Sequence, residues 1–343
     1  MTTETVNPVI GESAGESIEK IFGNFNFDDV VSDIVGGTFS PDSKNILTKI
    51  ISLFLGELKS AFALIGSIAA IIIMSAFLTN LHSSFKSDTI TKASGMAIFV
   101  YIAGITAVMF KTVTQYVLGF LGDVILFVHS IIPSLSALCV SGGEIVGATM
   151  AHPVVFFVCS CTGTLLKSVI TPLVLMRAVC VLLCAVTDNE SLNEFAELFA
   201  KLHKTLLSFS MSIFAGILGI SSFAAASFDS LAARGVKFAI SASVPVVGGS
   251  ISEAMSSVAG SALLLRNAVG LGGVIVIFAS FAFPLIKIWS LSLAFRLTSA
   301  FTAPITEKRV SMVLRKIGDS MDMLFSSIAC MGTIMIIAIA SIL

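Results

Sequence analysis

The chain has 343 residues, 56% of them hydrophobic and only 12% charged, with a mean hydropathy of +1.00. Soluble domains carry about 25% charged residues, so this chain lacks the polar surface to cover a water-soluble globule, and a bilayer is the solvent that fits. The net charge of −1 points neither to nucleic acid nor to an acidic ligand.

Residues 1–43 stand apart, with eight acids against the single Lys20. Ile18, Ile21, Phe22 and Phe25 recur at helical spacing, which predicts one or two short amphipathic helices on an acidic, extracytoplasmic tail. The first 20 residues hold no apolar core of a leader, so no cleavable signal peptide is expected in the chain as given. Residues 44–59 are expected to form an interfacial helix, with Ile46, Ile50, Leu53, Phe54 and Leu58 on one side.

Residues 60–343 read as the polytopic transmembrane domain. A helical span needs about 20 apolar residues. Runs of that kind lie at 60–81, 93–110, 124–143, 145–166, 168–187, 205–228, 267–286 and 323–343. The expectation is an all-α integral membrane protein, a bundle of about 7–8 transmembrane helices with a broken or re-entrant segment at 238–265. Residues 188–204, with Ser191 and Glu194 at capping-box spacing, predict an amphipathic helix lying at the interface with Leu192, Phe195, Leu198, Phe199 and Leu202 as its apolar stripe. Residues 307–316 are expected to form a short basic loop. The excess of Lys and Arg in short loops places 82–92 and 307–316 inside, with 188–204 on the same side and both termini outside.

Arg177 falls at the centre of the run 168–187. A charge at that depth costs about 2.5–3.5 kcal/mol on insertion scales, so it needs a partner or a watery cavity. Glu144, Asp229 and Glu253 are the candidate partners. The residue would serve a polar path or a docking point, or fix packing as an interhelical ion pair. In Ser243–Ser250, Pro245 and Gly248-Gly249, followed by Glu253, break a helix inside apolar sequence. Such a break lines a substrate site in transporters; in a structural subunit it turns the chain. Pro245, Val246, Val247, Gly248, Gly249, Glu253, Arg266 and Asn267 form the candidate functional segment, with Arg177 as a partner contact. Lys287 and Arg296 are expected to snorkel to an interface, and His152 to be a hydrogen-bonded histidine inside the bundle.

The six cysteines, Cys139, Cys159, Cys161, Cys180, Cys184 and Cys330, lie in apolar runs with no cluster of His or carboxylates beside them. They read as free thiols acting as small hydrophobes, and no metal or cofactor is expected. Nor does the chain carry H-E-x-x-H or G-x-x-x-x-G-K-[ST], or a nucleophile elbow. An enzyme is not expected, and no small-molecule substrate is identified. The rival reading from the residues is an autonomous transporter or permease with its site at 238–265. An intramembrane enzyme built on Arg177, His152 and the carboxylates ranks below it.

Three blocks carry a resemblance: Lys237–Met255, Ser261–Gly273 and Ala282–Lys287. In this order they resemble the stage III sporulation protein AE family, multi-span membrane proteins of endospore-forming bacteria. From 60 to 230 the similarity is one of hydropathy and span layout. Family members usually begin with a signal sequence, a departure that bears on the N-terminus. The resemblance implies a membrane subunit of a secretion-like channel complex, made in the mother cell and seated in the mother-cell-derived membrane around the forespore. Its implied partners are other stage III sporulation membrane proteins, ring-forming proteins and a secretion-ATPase-like protein. Its implied role is to support late forespore gene expression and development.

Overall fold

The computed structural model describes residues 88–141, 152–187, 189–243, 280–306 and 308–342, with scattered positions between 55 and 74 and Ile277. For 88–95, 98, 131, 134–141, 221–243 and 339–342 it describes the backbone alone. The acidic tail at 1–43, most of the interfacial helix at 44–59, and the broken segment beyond Ser243 lie outside the described residues.

Among the described residues the bundle has five long helices and no strand: α1 (Asp88–Ser141), α2 (His152–Thr187), α3 (Glu190–Ser243), α4 (Ser280–Thr302) and α5 (Lys308–Ile342). Each contains a stretch long and apolar enough to cross a membrane. They are longer than the runs read from sequence. The predicted spans 93–110 and 124–143 are one continuous helix, α1, of 54 residues, or about 81 Å at 1.5 Å per residue. Lys111 and Asp123 interrupt the hydropathy without interrupting the backbone, because a charged side chain leaves the i→i−4 ladder intact.

The runs 145–166 and 168–187 likewise form one helix from His152, and their junction has a physical cause. Pro172 has no N–H to give the carbonyl one turn back. The helix widens into a π turn over Leu166–Ile170, where the Thr171 backbone N–H and hydroxyl both donate to the Leu166 carbonyl, the hydroxyl at 2.8 Å. A π turn inserted in this way keeps the helix going with a local bend.

α3 begins without the predicted capping box. Asn189 caps it, its Oδ1 accepting from the Ser191 N–H at 3.0 Å, as an Asx side chain does at an N-cap. Residues 190–204 are not a separate interfacial helix but the first turns of α3. Along this stretch Phe195, Leu198 and Leu202 face outward while Ala196 and His203 are buried. The basic loop at 307–316 is likewise helix from Lys308 onward. Val310, Val313, Leu314 and Ile317 recur at helical spacing and are buried, so this face docks and draws the segment into α5.

The candidate span 60–81, and the part of 267–286 that precedes Ser280, lie mostly outside the described residues. Ile72 of the first is fully buried in the core.

α5 is the central helix. It packs on α1, α2 and α3 and pairs antiparallel with α4, from Ser299 against Ser311 at the turn to Phe281 against Gly332. Pro304 ends α4, and the Ile305 and Thr306 N–H groups fold back on the Thr302 carbonyl. Close approach needs glycine at two places. A Cβ on Gly163 would lie 2.6 Å from Ile125 Cγ1 of α1, and one on Gly332 would lie 2.9 Å from the Phe281 ring. Phe281 in turn meets Phe120 edge-on at 5.1 Å. These contacts set α1 and α5 parallel and α2 and α4 against them. The start of α1, the α2–α3 link and the α4–α5 turn therefore share one end of the bundle. Those are the segments around 92, 188–204 and 307–316 that were expected together on one side of the membrane.

Several buried hydroxyls are satisfied within their own helix. Thr114, Thr162 and Thr298 each donate to the carbonyl four residues back at 2.8–2.9 Å, the way a polar side chain is accommodated where water is absent.

Candidate functional site

The polar groups of the bundle converge on the first half of α5. Lys316, Asp319, Ser320 and Asp322 fall within two turns, so they radiate toward three neighbouring helices. Gly318 lies among them and lets α4 approach: Ser292 Oγ donates to the Gly318 carbonyl at 3.0 Å, and to Asp322 Oδ1. Arg296 of α4 reaches both acids, with Asp319 Oδ1 at 2.9 Å and Asp322 Oδ2 as its second partner.

On the other side of α5, Lys316 Nζ donates to Asn193 Oδ1 and lies 3.4 Å from Glu197 Oε1, both on α3. Arg177 of α2 completes the cluster. It is 4% exposed, and its guanidinium donates to the Lys316 carbonyl at 2.9 Å and to the Ser320 hydroxyl. Its Nε has no partner among the described residues. Asp319 and Glu197 are the acids that act on it electrostatically.

Three cations and three carboxylates thus balance across four helices. They differ in weight. Arg296 is 48% exposed and its two acids are about as open, so each of those pairs contributes about 0–1 kcal/mol. Arg177 is enclosed, and hydrogen bonds from a charged group in that setting contribute about 1.5–3 kcal/mol.

One turn further along α5, Ser327 Oγ gives its proton to the Met323 carbonyl at 2.9 Å and meets His203 Nε2 at 3.1 Å. With that proton engaged, Ser327 is left to accept from the ring N–H, and the pair ties α3 to α5. A second pair, His129 and Ser160 at 3.0 Å, joins α1 to α2, the imidazole stacking on Phe156 at 4.8 Å. The bonds of the cluster run to backbone carbonyls and opposite charges, which is the chemistry of a clamp between helices. Among the described residues no three His, Cys, Asp or Glu side chains gather as a metal site, and Cys159, Cys161, Cys180, Cys184 and Cys330 are free.

Of the candidate site residues read from sequence, Arg177 is the one that lies among the described residues, and it enters this cluster. Pro245, Val246, Val247, Gly248, Gly249, Glu253, Arg266 and Asn267 lie outside the described residues, as do the side chains of its expected partners Glu144, Asp229 and Glu253. Sequence reading missed Glu197, His203, Asp319, Ser320 and Asp322. It took Lys316 for a loop residue and Arg296 for a snorkelling one. The available signal was Gly318-Asp-Ser-Met-Asp322, two acids a helical turn apart at the head of an apolar run.

No solved structure matches the chain. It is 25% identical over 311 residues to stage III sporulation protein AE of Bacillus subtilis (strain 168), covering 91% of this chain and 78% of that protein. The family model for stage III sporulation protein AE matches residues 25–343. A helical membrane bundle with this match over nearly its whole length belongs to the stage III sporulation protein AE family.

Proposed function

We propose that this protein is a non-enzymatic membrane subunit of a secretion-like channel complex between mother cell and forespore, needed for late forespore gene expression and development. Family membership over residues 25–343 carries this reading. The outward apolar side chains among the described residues, such as Val108, Met176 and Phe195, add support. Helices of 35 to 54 residues exceed the roughly 30 Å of one hydrocarbon core, so apolar surface is left for neighbouring proteins to cover.

In this reading the protein sits in the mother-cell-derived membrane around the forespore and anchors ring-forming sporulation proteins and a secretion-ATPase-like protein. Arg177 clamps α2 to α5 from within, and the 245–267 segment is the surface that partners or cargo meet. Affinity capture of the tagged protein from sporulating cells in mild detergent tests it. Recovery of the ring-forming and ATPase-like sporulation proteins is expected. Recovery of the protein alone, stable and in good yield, would contradict the subunit reading and favour a transporter, to be checked by solute flux in vesicles. Gly248→Leu is expected to lower spore yield while the protein still inserts; normal yield at normal protein level would remove the segment from the site.

A further inference from the structure

Each of the five helices carries an uncharged run, and the five runs begin within about 10 Å of one another along the bundle axis. They are 124–141 in α1, 152–166 in α2, 205–228 in α3, 280–286 in α4 and 323–342 in α5. The first charges beyond them are Asp123, Lys167, Lys204, Lys287 and Asp322. Contacts between the helices hold these positions together. The Lys167 ammonium lies over Gly122, within 2.8 Å of where a Cβ would stand. Lys287 lies 4.9 Å from the centre of the Tyr116 ring, and His203 bonds Ser327 across α3 and α5. Trp289, the one tryptophan of the chain, follows Lys287 by two residues and is 42% exposed.

An uncharged slab ends here. The twenty residues 323–342 of α5 are about 30 Å long, the thickness of one hydrocarbon core. On the other side of this level every helix bears charge. Tryptophan and tyrosine gather where hydrocarbon gives way to headgroups, and lysine lays its stem on apolar surface while its ammonium reaches the headgroups. Lys167 and Lys204 are exposed, and the Lys287 ammonium lies 4.9 Å from the centre of the Tyr116 ring and 5.7 Å from that of Phe283. Of the two acids at this level, Asp322 is held by Arg296 and Ser292, so cations dominate the outer rim.

We propose that Lys167, Lys204 and Lys287 form a ring that binds the phosphates of anionic lipid headgroups, at a membrane boundary marked by Trp289. The charged half of the bundle, Arg177 included, then stands clear of the hydrocarbon, with Arg177 about 15 Å past Lys167 along α2. This inference concerns the membrane seat of the protein and does not depend on the complex it serves.

Two measurements on the full chain test it. In vesicles containing lipids brominated at single depths, Trp289 fluorescence is expected to be quenched more strongly by bromines near the headgroup than by those near the chain ends. Stronger quenching from the chain ends would overturn the boundary. In detergent, added phosphatidylglycerol is expected to raise the unfolding temperature more than phosphatidylcholine or inorganic phosphate does. The combined variant Lys167→Gln, Lys204→Gln and Lys287→Gln is expected to lose most of that shift. Its control, Lys111→Gln, Lys308→Gln and Arg315→Gln, all exposed and away from the rim, is expected to keep it. Equal shifts with both lipids, an equal shift with phosphate, or equal losses in the two variants would overturn the lipid site.

Discussion

The two ends of this bundle are built from the same five helices by opposite means. At the uncharged end, α1, α2, α4 and α5 meet through glycine and aromatic shape, with Gly163 against Ile125 and Gly332 against Phe281. At the charged end, α2, α3 and α4 are tied to α5 by Arg177, Lys316 and Arg296. Close packing leaves little slack for added volume, whereas a hydrogen-bonded charge cluster loses stability in proportion to how enclosed each member is. The ends should therefore fail differently.

The largest loss is expected at the uncharged end. Gly163→Leu places atoms where even a Cβ meets Ile125, and overpacking of this kind costs about 3 kcal/mol. Thermal unfolding in detergent is expected to show a sharply lowered midpoint or little folded protein, and an unchanged midpoint would mean that α1 and α2 do not meet there. Second comes Arg177→Ala, which removes the bonds to the Lys316 carbonyl and Ser320 and is expected to cost about 2 kcal/mol. Arg177→Lys should fall between, since an ammonium cannot reproduce the planar fork; parity of Lys with wild type would reduce the clamp to simple charge.

Smaller still is Ser327→Ala. It strands the buried His203 ring at a cost of about 1 kcal/mol. Adding His203→Phe should recover part of that loss, and strict additivity in the double-mutant cycle would show that the two side chains are not coupled. The smallest effect is expected from Asp319→Asn, below about 1 kcal/mol and shrinking as salt is added, because its partner Arg296 is half exposed. A large, salt-independent loss would show that this pair is enclosed by something outside the described residues.

The contrast also explains what could be read in the sequence. Composition and the apolar runs were enough for an all-helical membrane bundle, because hydropathy reports the solvent directly. Helix number was harder to read, because hydropathy sees Lys111 or Lys167 as an end while the backbone runs on through both. The Leu166–Ile170 π turn shows the same thing: the sequence signalled a disturbance, and its cause was Pro172 rather than a loop. At 190–204 the stripe Phe195, Leu198 and Leu202 was visible, but the continuity of the stretch with the rest of α3 was not. Asn193 and Glu197 of that stretch turn toward Lys316. Arg177 could be found as a lone charge in an apolar run. Its partners could not, since a backbone carbonyl and a serine 139 and 143 residues away carry no sequence mark.

The claim that one half of the bundle lies in hydrocarbon and the other beyond it can be tested on a single helix. Phe157 and Leu183 of α2 are both exposed, at 65% and 46%, and lie on opposite sides of Lys167. Each would be replaced by cysteine in a cysteine-free chain, reconstituted alone into vesicles and treated with a membrane-impermeant maleimide from either face. Leu183→Cys is predicted to react from one face and Phe157→Cys only after detergent is added. Protection of both until detergent, or reaction at Phe157→Cys in sealed vesicles, would contradict the division of the molecule into these two halves.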